Sequence, residues 1–111
     1  MKKAKKNKAK KIKKEKEILL TTTDNMSGYT IVECIGLVQG STILNLTKIK
    51  GIKEYHNKLE NARMNSLKKI IAQTRQLDCG AITGIRFEIN NISKDLIDVL
   101  VYGTSVKIKK K

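Results

Sequence analysis

From Ile18 onward the chain alternates between two-residue and helical periodicity. Ile18-Leu19-Leu20-Thr21-Thr22-Thr23 is a short β-like stretch, and Asp24-Asn25-Met26-Ser27-Gly28 is turn-rich. Tyr29 to Leu44 reads as a strand. Its odd face carries Tyr29, Ile31, Glu33, Ile35 and Leu37; its even face carries Thr30, Val32, Cys34, Gly36 and Val38. Both faces are more apolar than a half-exposed strand needs. Gly36 and Gly40 predict a bulge or bend. After a polar linker, the spacing predicts a helix from about Ile52 to Leu77, with Leu59, Ala62, Ser66, Ile70, Thr74 and Leu77 on its buried line. Met64, Leu67 and Ile71 flank that line. Asp78-Cys79-Gly80 ends the helix, with Gly80 read as the left-handed stop. Residues 81–89 alternate, with Ala81, Thr83, Ile85, Phe87 and Ile89 facing one way and Ile82, Gly84, Arg86 and Glu88 the other. A turn at 90–95 leads into a last strand over 96–108, apolar on both sides.

The order strand, helix, strand, strand predicts an α+β domain, one long helix packed on an antiparallel sheet. One helix covers one face of such a sheet, yet two of the three strands are apolar on both. The uncovered face is therefore expected to be an association surface. A charge at Val101, on the last strand, is expected to give monomer or insoluble protein.

Composition changes this picture mainly at the ends. The 111 residues suffice for one small domain, with a formal charge of +14. Residues 1–17 contribute +8 of it and residues 107–111 contribute +4, so the domain between is nearly neutral. The first 17 residues have no apolar stripe, which predicts a disordered basic arm. The domain is placed at 18–108 and a basic tail at 109–111. No apolar run is long enough to span a membrane, and Ile18-Leu19-Leu20 is too short for the core of a secretion signal. Two Cys make no disulfide framework. The expected location is the cytoplasm.

Thr21-Thr22-Thr23, Gly28-Tyr29-Thr30-Ile31-Val32-Glu33 and Gly36-Leu37-Val38-Gln39-Gly40 resemble the opening of the YbjQ-like family. Ala62-Arg63, then Leu77 through Ala81-Ile82-Thr83-Gly84-Ile85-Arg86-Phe87, resembles its helix end and second strand. Tyr102-Gly103-Thr104-Ser105-Val106 resembles its final strand. The resemblance covers about residues 19–108. It implies a β-α-β-β subunit of dodecin-like type, a homopentameric ring and a label of heavy-metal binding, with no catalytic residue or ligand set attached. This chain departs from the family at Leu77-Asp78-Cys79-Gly80-Ala81, where the Gly and Asp positions are exchanged.

Three residues are candidate metal ligands: Cys34, His56 and Cys79. They lie on a strand, a helix start and a helix end, without the paired short spacings of a structural zinc site. A ring axis offers another route, since symmetry would present one Cys34 per subunit to a soft metal ion. The competing reading makes Cys34 a buried small hydrophobe. Cys79 lies near a helix C-terminus, which disfavours its thiolate, and His56 reads as solvated. One His and no nucleophile or phosphate-loop signature argue against an enzyme. Arg86 and Glu88, on one side of a strand, read as a subunit salt bridge. The alternative function is contact with a polyanion such as nucleic acid through Lys2, Lys3, Lys5, Lys6, Lys8, Lys10, Lys11, Lys13, Lys14 and Lys16. Point charges of this kind bind backbone phosphates without reading sequence.

Overall fold

The computed structural model describes residues 17–111. The ten arm lysines, Lys2 to Lys16, and all but the last residue of the expected disordered arm lie outside the described residues. Four strands and one helix follow in order: β1 (Leu19–Leu20), β2 (Tyr29–Asn45), α1 (Gly51–Gln76), β3 (Ala81–Asn91) and β4 (Leu96–Lys110). They form one sheet of order β1-β3-β4-β2. The expected antiparallel sheet is in fact mixed, because β1 pairs parallel with β3 through Leu19↔Ala81 and Leu20↔Ile82. The other two pairings are antiparallel. β4 also runs further than its apolar pattern suggests: Lys109 and Lys110 pair with Thr30 and Tyr29, so the ladder takes up most of the expected tail.

Five of the six residues on the predicted helix line are buried: Leu59, Ala62, Ser66, Ile70 and Thr74. Leu77 is 42% exposed because the helix has already ended at Gln76. The left-handed residue at that end is Asp78, at φ 55, and not Gly80. The N–H of Asp78 donates to the Arg75 carbonyl and that of Cys79 to the Thr74 carbonyl. These two bonds define a Schellman stop with aspartate at the usual glycine position.

The core lies between α1 and one sheet face. Val38, Ile70, Ile82, Ile85 and Val101 pack together with Ile18. Leu59, Ala62, Ile97 and Val99 form a second cluster joined by Leu44, Leu46 and Tyr55. Val101 is thus a core residue under the helix, so a charge there would test folding before assembly. Two polar contacts cross the core. Ser66 Oγ donates to the Val99 carbonyl at 2.7 Å, and the Thr74 and Ser105 hydroxyls bond at 2.8 Å.

Strict alternation fails along β3 because of a bulge. Thr83 pairs with Thr104 and Arg86 with Tyr102, so Gly84 and Ile85 together oppose Gly103. Gly84 sits at φ 60, a conformation glycine adopts without strain. The extra residue reverses the faces, and Ile82 and Ile85 both enter the core. β2 carries two register shifts, between Ile31 and Glu33 and between Cys34 and Gly36. The bend expected at Gly36 is present. Gly40 has a different role: a Cβ there would lie 2.7 Å from the Ser66 carbonyl oxygen, so its hydrogen lets α1 lie directly on β2.

Candidate functional site

Among the described residues no helix covers the sheet face away from α1. Strand register sets its composition. Gln39, Tyr102 and Arg86 form one row; Ser41, Leu100 and Glu88 the next; Ile43, Asp98 and Asn90 a third. Leu37 and Ile43 are 68% and 54% exposed. The face is therefore mixed: Gln39, Ser41 and Asp98 stand among the apolar side chains of β2 and β4. The bulge adds to the polar share by turning Arg86, Glu88 and Asn90 to this side of β3. Arg86 does not read as half of a simple salt bridge: its Nη1 donates to the carbonyls of Thr22 (2.8 Å) and Ile85 (2.9 Å). It thereby ties the β1–β2 connection to β3. The Oδ1 atom of Asp98 is buried without a hydrogen-bond partner. A buried carboxylate oxygen left unpaired is costly.

The three candidate ligands do not converge. Cys34 is exposed on β2, opposite Val106. The reading of Cys34 as a buried small hydrophobe is not met, because it lies on the edge strand between the two register shifts. By register it shares the face of Val106, Leu100 and Tyr102. His56 is exposed in the second turn of α1, its ring edge-on to Tyr55. Cys79 is buried behind the helix stop. Burial raises its thiol above the ordinary value of 9.0; Lys107 pulls it down, and Asp78 and Glu33 add to the rise. Its thiolate is disfavoured, as expected at a helix C-terminus, but exclusion from water is the larger cause. Among the described residues no three His, Cys, Asp or Glu side chains are grouped to hold a metal ion. The described residues of a single chain therefore do not fit a heavy metal.

A hollow of about 800 Å³ opens beside the β1–β2 connection, with Asp24 its one carboxylate. A smaller trough of about 230 Å³ runs between α1 and β3, lined by Leu20, Thr21, Thr22, Leu67, Ile85 and Phe87. It exists because α1 lies mainly over β2 and β4. Phe87 and Ile89, on the helix side of β3, are left 46% and 43% exposed. Among the described residues no helix is long and apolar enough to cross a membrane.

The fold defines the chain as a small α+β module, one helix on a four-stranded mixed sheet. Residues 18–109 match the family model described as "Putative heavy-metal-binding", and the chain belongs to this YbjQ-like family. It is 34% identical to UPF0145 protein YG5714_0873 of Saccharolobus islandicus, over 86% of this chain and 95% of that one. It is 33% identical to a UPF0145 protein of Pseudothermotoga lettingae, over 84% and 99%. A protein of unknown function from the DUF74 family of Pediococcus pentosaceus has the same fold, with a TM-score of 0.65 and 19% identity over 83% of this chain and 98% of that one.

Proposed function

We propose that this chain is a non-enzymatic subunit of a closed, dodecin-like ring, a homopentamer, located in the cytoplasm, and that it binds its ligand at positions shared between subunits. The observation that carries this reading is the open sheet face, which carries the exposed Leu37 and Ile43 together with Leu100 and Tyr102, and on which Asp98, opposite Ile43, holds a buried oxygen without a partner. A neighbouring copy would remove that apolar surface from water and supply the missing donor. Cys34, exposed on the same side, is the one thiol available to a soft metal ion, and a ring repeats it once per subunit. Metal analysis of the purified, untagged protein tests this part. Wild-type protein carrying a soft metal and a Cys34→Ala variant lacking it are the expected results; equal metal content in both overturns the role of Cys34.

A second reading concerns the polyanion. The charge of the chain is concentrated at its ends, and Lys109, Lys110 and Lys111 are exposed at the end of β4. Salt-titrated binding to duplex DNA, with and without residues 1–17, tests it. Equal affinity of the truncated form would end that reading.

A further inference from the structure

The side of α1 turned away from the sheet has a composition of its own. Leu59, Ala62, Ser66, Ile70 and Thr74 give one side of the helix to the core. Side chains four residues apart line up as a ridge on a helix. One such ridge on the outward side is Lys53, Asn57, Asn61, Asn65 and Lys69, every member exposed. Lys58 and Lys68 stand exposed on either side of it. The three asparagine side chains have no hydrogen-bond partner among the described residues.

The charge on this surface is largely uncompensated. The helix carries six basic residues against two acidic ones, Glu54 and Glu60. Both carboxylates are engaged. Glu54 Oε2 accepts from the Lys50 N–H at 2.7 Å, and Glu60 lies 3.7 Å from the Arg63 guanidinium. Lys53, Lys58 and Lys68 have no carboxylate partner among the described residues. The flank nearest β2 is fastened down. Gln73 covers the backbone of Gln39: its Oε1 accepts from the Gln39 N–H at 3.3 Å, and its Nε2 donates to the Gln39 carbonyl at 2.8 Å. The Lys69 ammonium donates to the Ser41 carbonyl. Lys69 is thus committed to β2, while Lys53, Lys68 and the three amides stay free on a helix already held in place.

We infer that this outward ridge of α1 docks in the major groove of duplex DNA, with Lys53 and Lys68 on flanking phosphates and Asn57, Asn61 and Asn65 toward the base edges. This rests on the polyanion reading above for the partner's charge alone, and places the contact on the helix instead of the arm. Charge complementarity selects a polyanion, and the amide row selects its kind. Asparagine donates and accepts at base edges and sugar-phosphate groups. A helix with its side chains is about 10–12 Å across, and the major groove of DNA is about 12 Å wide. That of duplex RNA is too narrow to admit a helix. A membrane surface fits less well, because a helix that lies in one needs an apolar side to bury. Here that side is already on the sheet, and the exposed Ile52 and Met64 are far apart along α1. The arm reinforces the choice of face. Ile18, where the ordered domain begins, packs in the same cluster as Ile70 of α1. The lysines before it are therefore tethered on the helix side of the sheet.

Anisotropy of a labelled mixed-sequence duplex DNA, titrated with the full-length protein over a range of salt, tests this. Lys53→Gln combined with Lys68→Gln should lower the salt slope by about 2 and weaken binding by about tenfold or more at about 0.1 M salt. Asn57→Ala combined with Asn61→Ala should weaken binding without changing the slope, since amides displace no counterions. All four positions are exposed, so the circular-dichroism signal and sedimenting mass of both variants should match wild type. An equal loss in the charge-matched Lys109→Gln, Lys110→Gln variant would overturn the helix site in favour of bulk charge. Equal affinity for duplex RNA would overturn docking in the groove. Helix variants that bind as wild type, with binding abolished by removal of residues 1–17, would overturn the helix site and leave the arm reading standing. Binding to phosphatidylglycerol vesicles with none to the duplex would overturn both.

Discussion

Replacing Gly40 with alanine tests how α1 is seated on the sheet. The new methyl carbon would lie 2.7 Å from the Ser66 carbonyl oxygen and 2.8 Å from Lys69 Cβ. One of these is helix backbone, so no flexible side chain can swing away. Relief requires the helix to move off β2 by several tenths of an ångström. Overpacking of this kind costs about 1–3 kcal/mol. The same movement stretches the bond from Ser66 Oγ to the Val99 carbonyl and the paired bonds between Gln73 and Gln39. Their loss adds about 1 kcal/mol. Gly40→Ala should therefore destabilise the protein by about 2–4 kcal/mol. Urea unfolding, followed by far-UV circular dichroism at a fixed protein concentration, measures it. With a slope of about 1 kcal/mol/M, the midpoint should fall by about 2 M or more. The Ser66→Ala change should cost less when made in the Gly40→Ala variant than in the wild type, because the Ser66 bond is already strained in that variant. A Gly40→Ala midpoint within about 0.5 M of wild type would refute this account of helix seating.

Asp78→Gly should stabilise the protein by about 0.5–1 kcal/mol, since it relieves a left-handed aspartate and removes a negative charge from a helix C-terminus; an unchanged or lower melting temperature would contradict the Schellman assignment. The folded state holds the Cys79 proton more tightly than the unfolded chain does. Its contribution is therefore complete below the ordinary thiol value of 9.0 and is lost as pH rises beyond it. Wild type should accordingly lose more stability than Cys79→Val between about pH 8 and 10, as read by urea midpoints at each pH. Leu100→Asp, on the open face, should leave the helical circular-dichroism signal intact and lower the sedimenting mass, whereas Val101→Asp, beneath α1, should abolish the folded signal itself.

The parts of the fold that follow from local periodicity were legible in the sequence. Leu59, Ala62, Ser66, Ile70 and Thr74 lie on one face because the helix repeats at a fixed angle, whatever it packs against. The bulge at Gly84 and Ile85 was not, because a single inserted residue leaves hydrophobic content unchanged while reversing the faces after it. Nor was the parallel pairing of β1, which depends on partners some 60 residues away. The helix stop was found, but the departure at Asp78 from the usual glycine concealed which residue turns left-handed. Of the candidate ligands, Cys79 and His56 lie as their positions in the helix suggest. Cys34 does not, because composition alone cannot tell an edge strand from a central one. The backbone cover that Gln73 gives Gln39 left no trace in the pattern: a glutamine beside the buried line of a helix reads as solvated.

The measurement that bears most directly on this account is the mass of the full-length protein by sedimentation equilibrium at submicromolar concentration. The account predicts a single species five times the 12.5 kDa chain. A stable, folded 12.5 kDa protomer would contradict it.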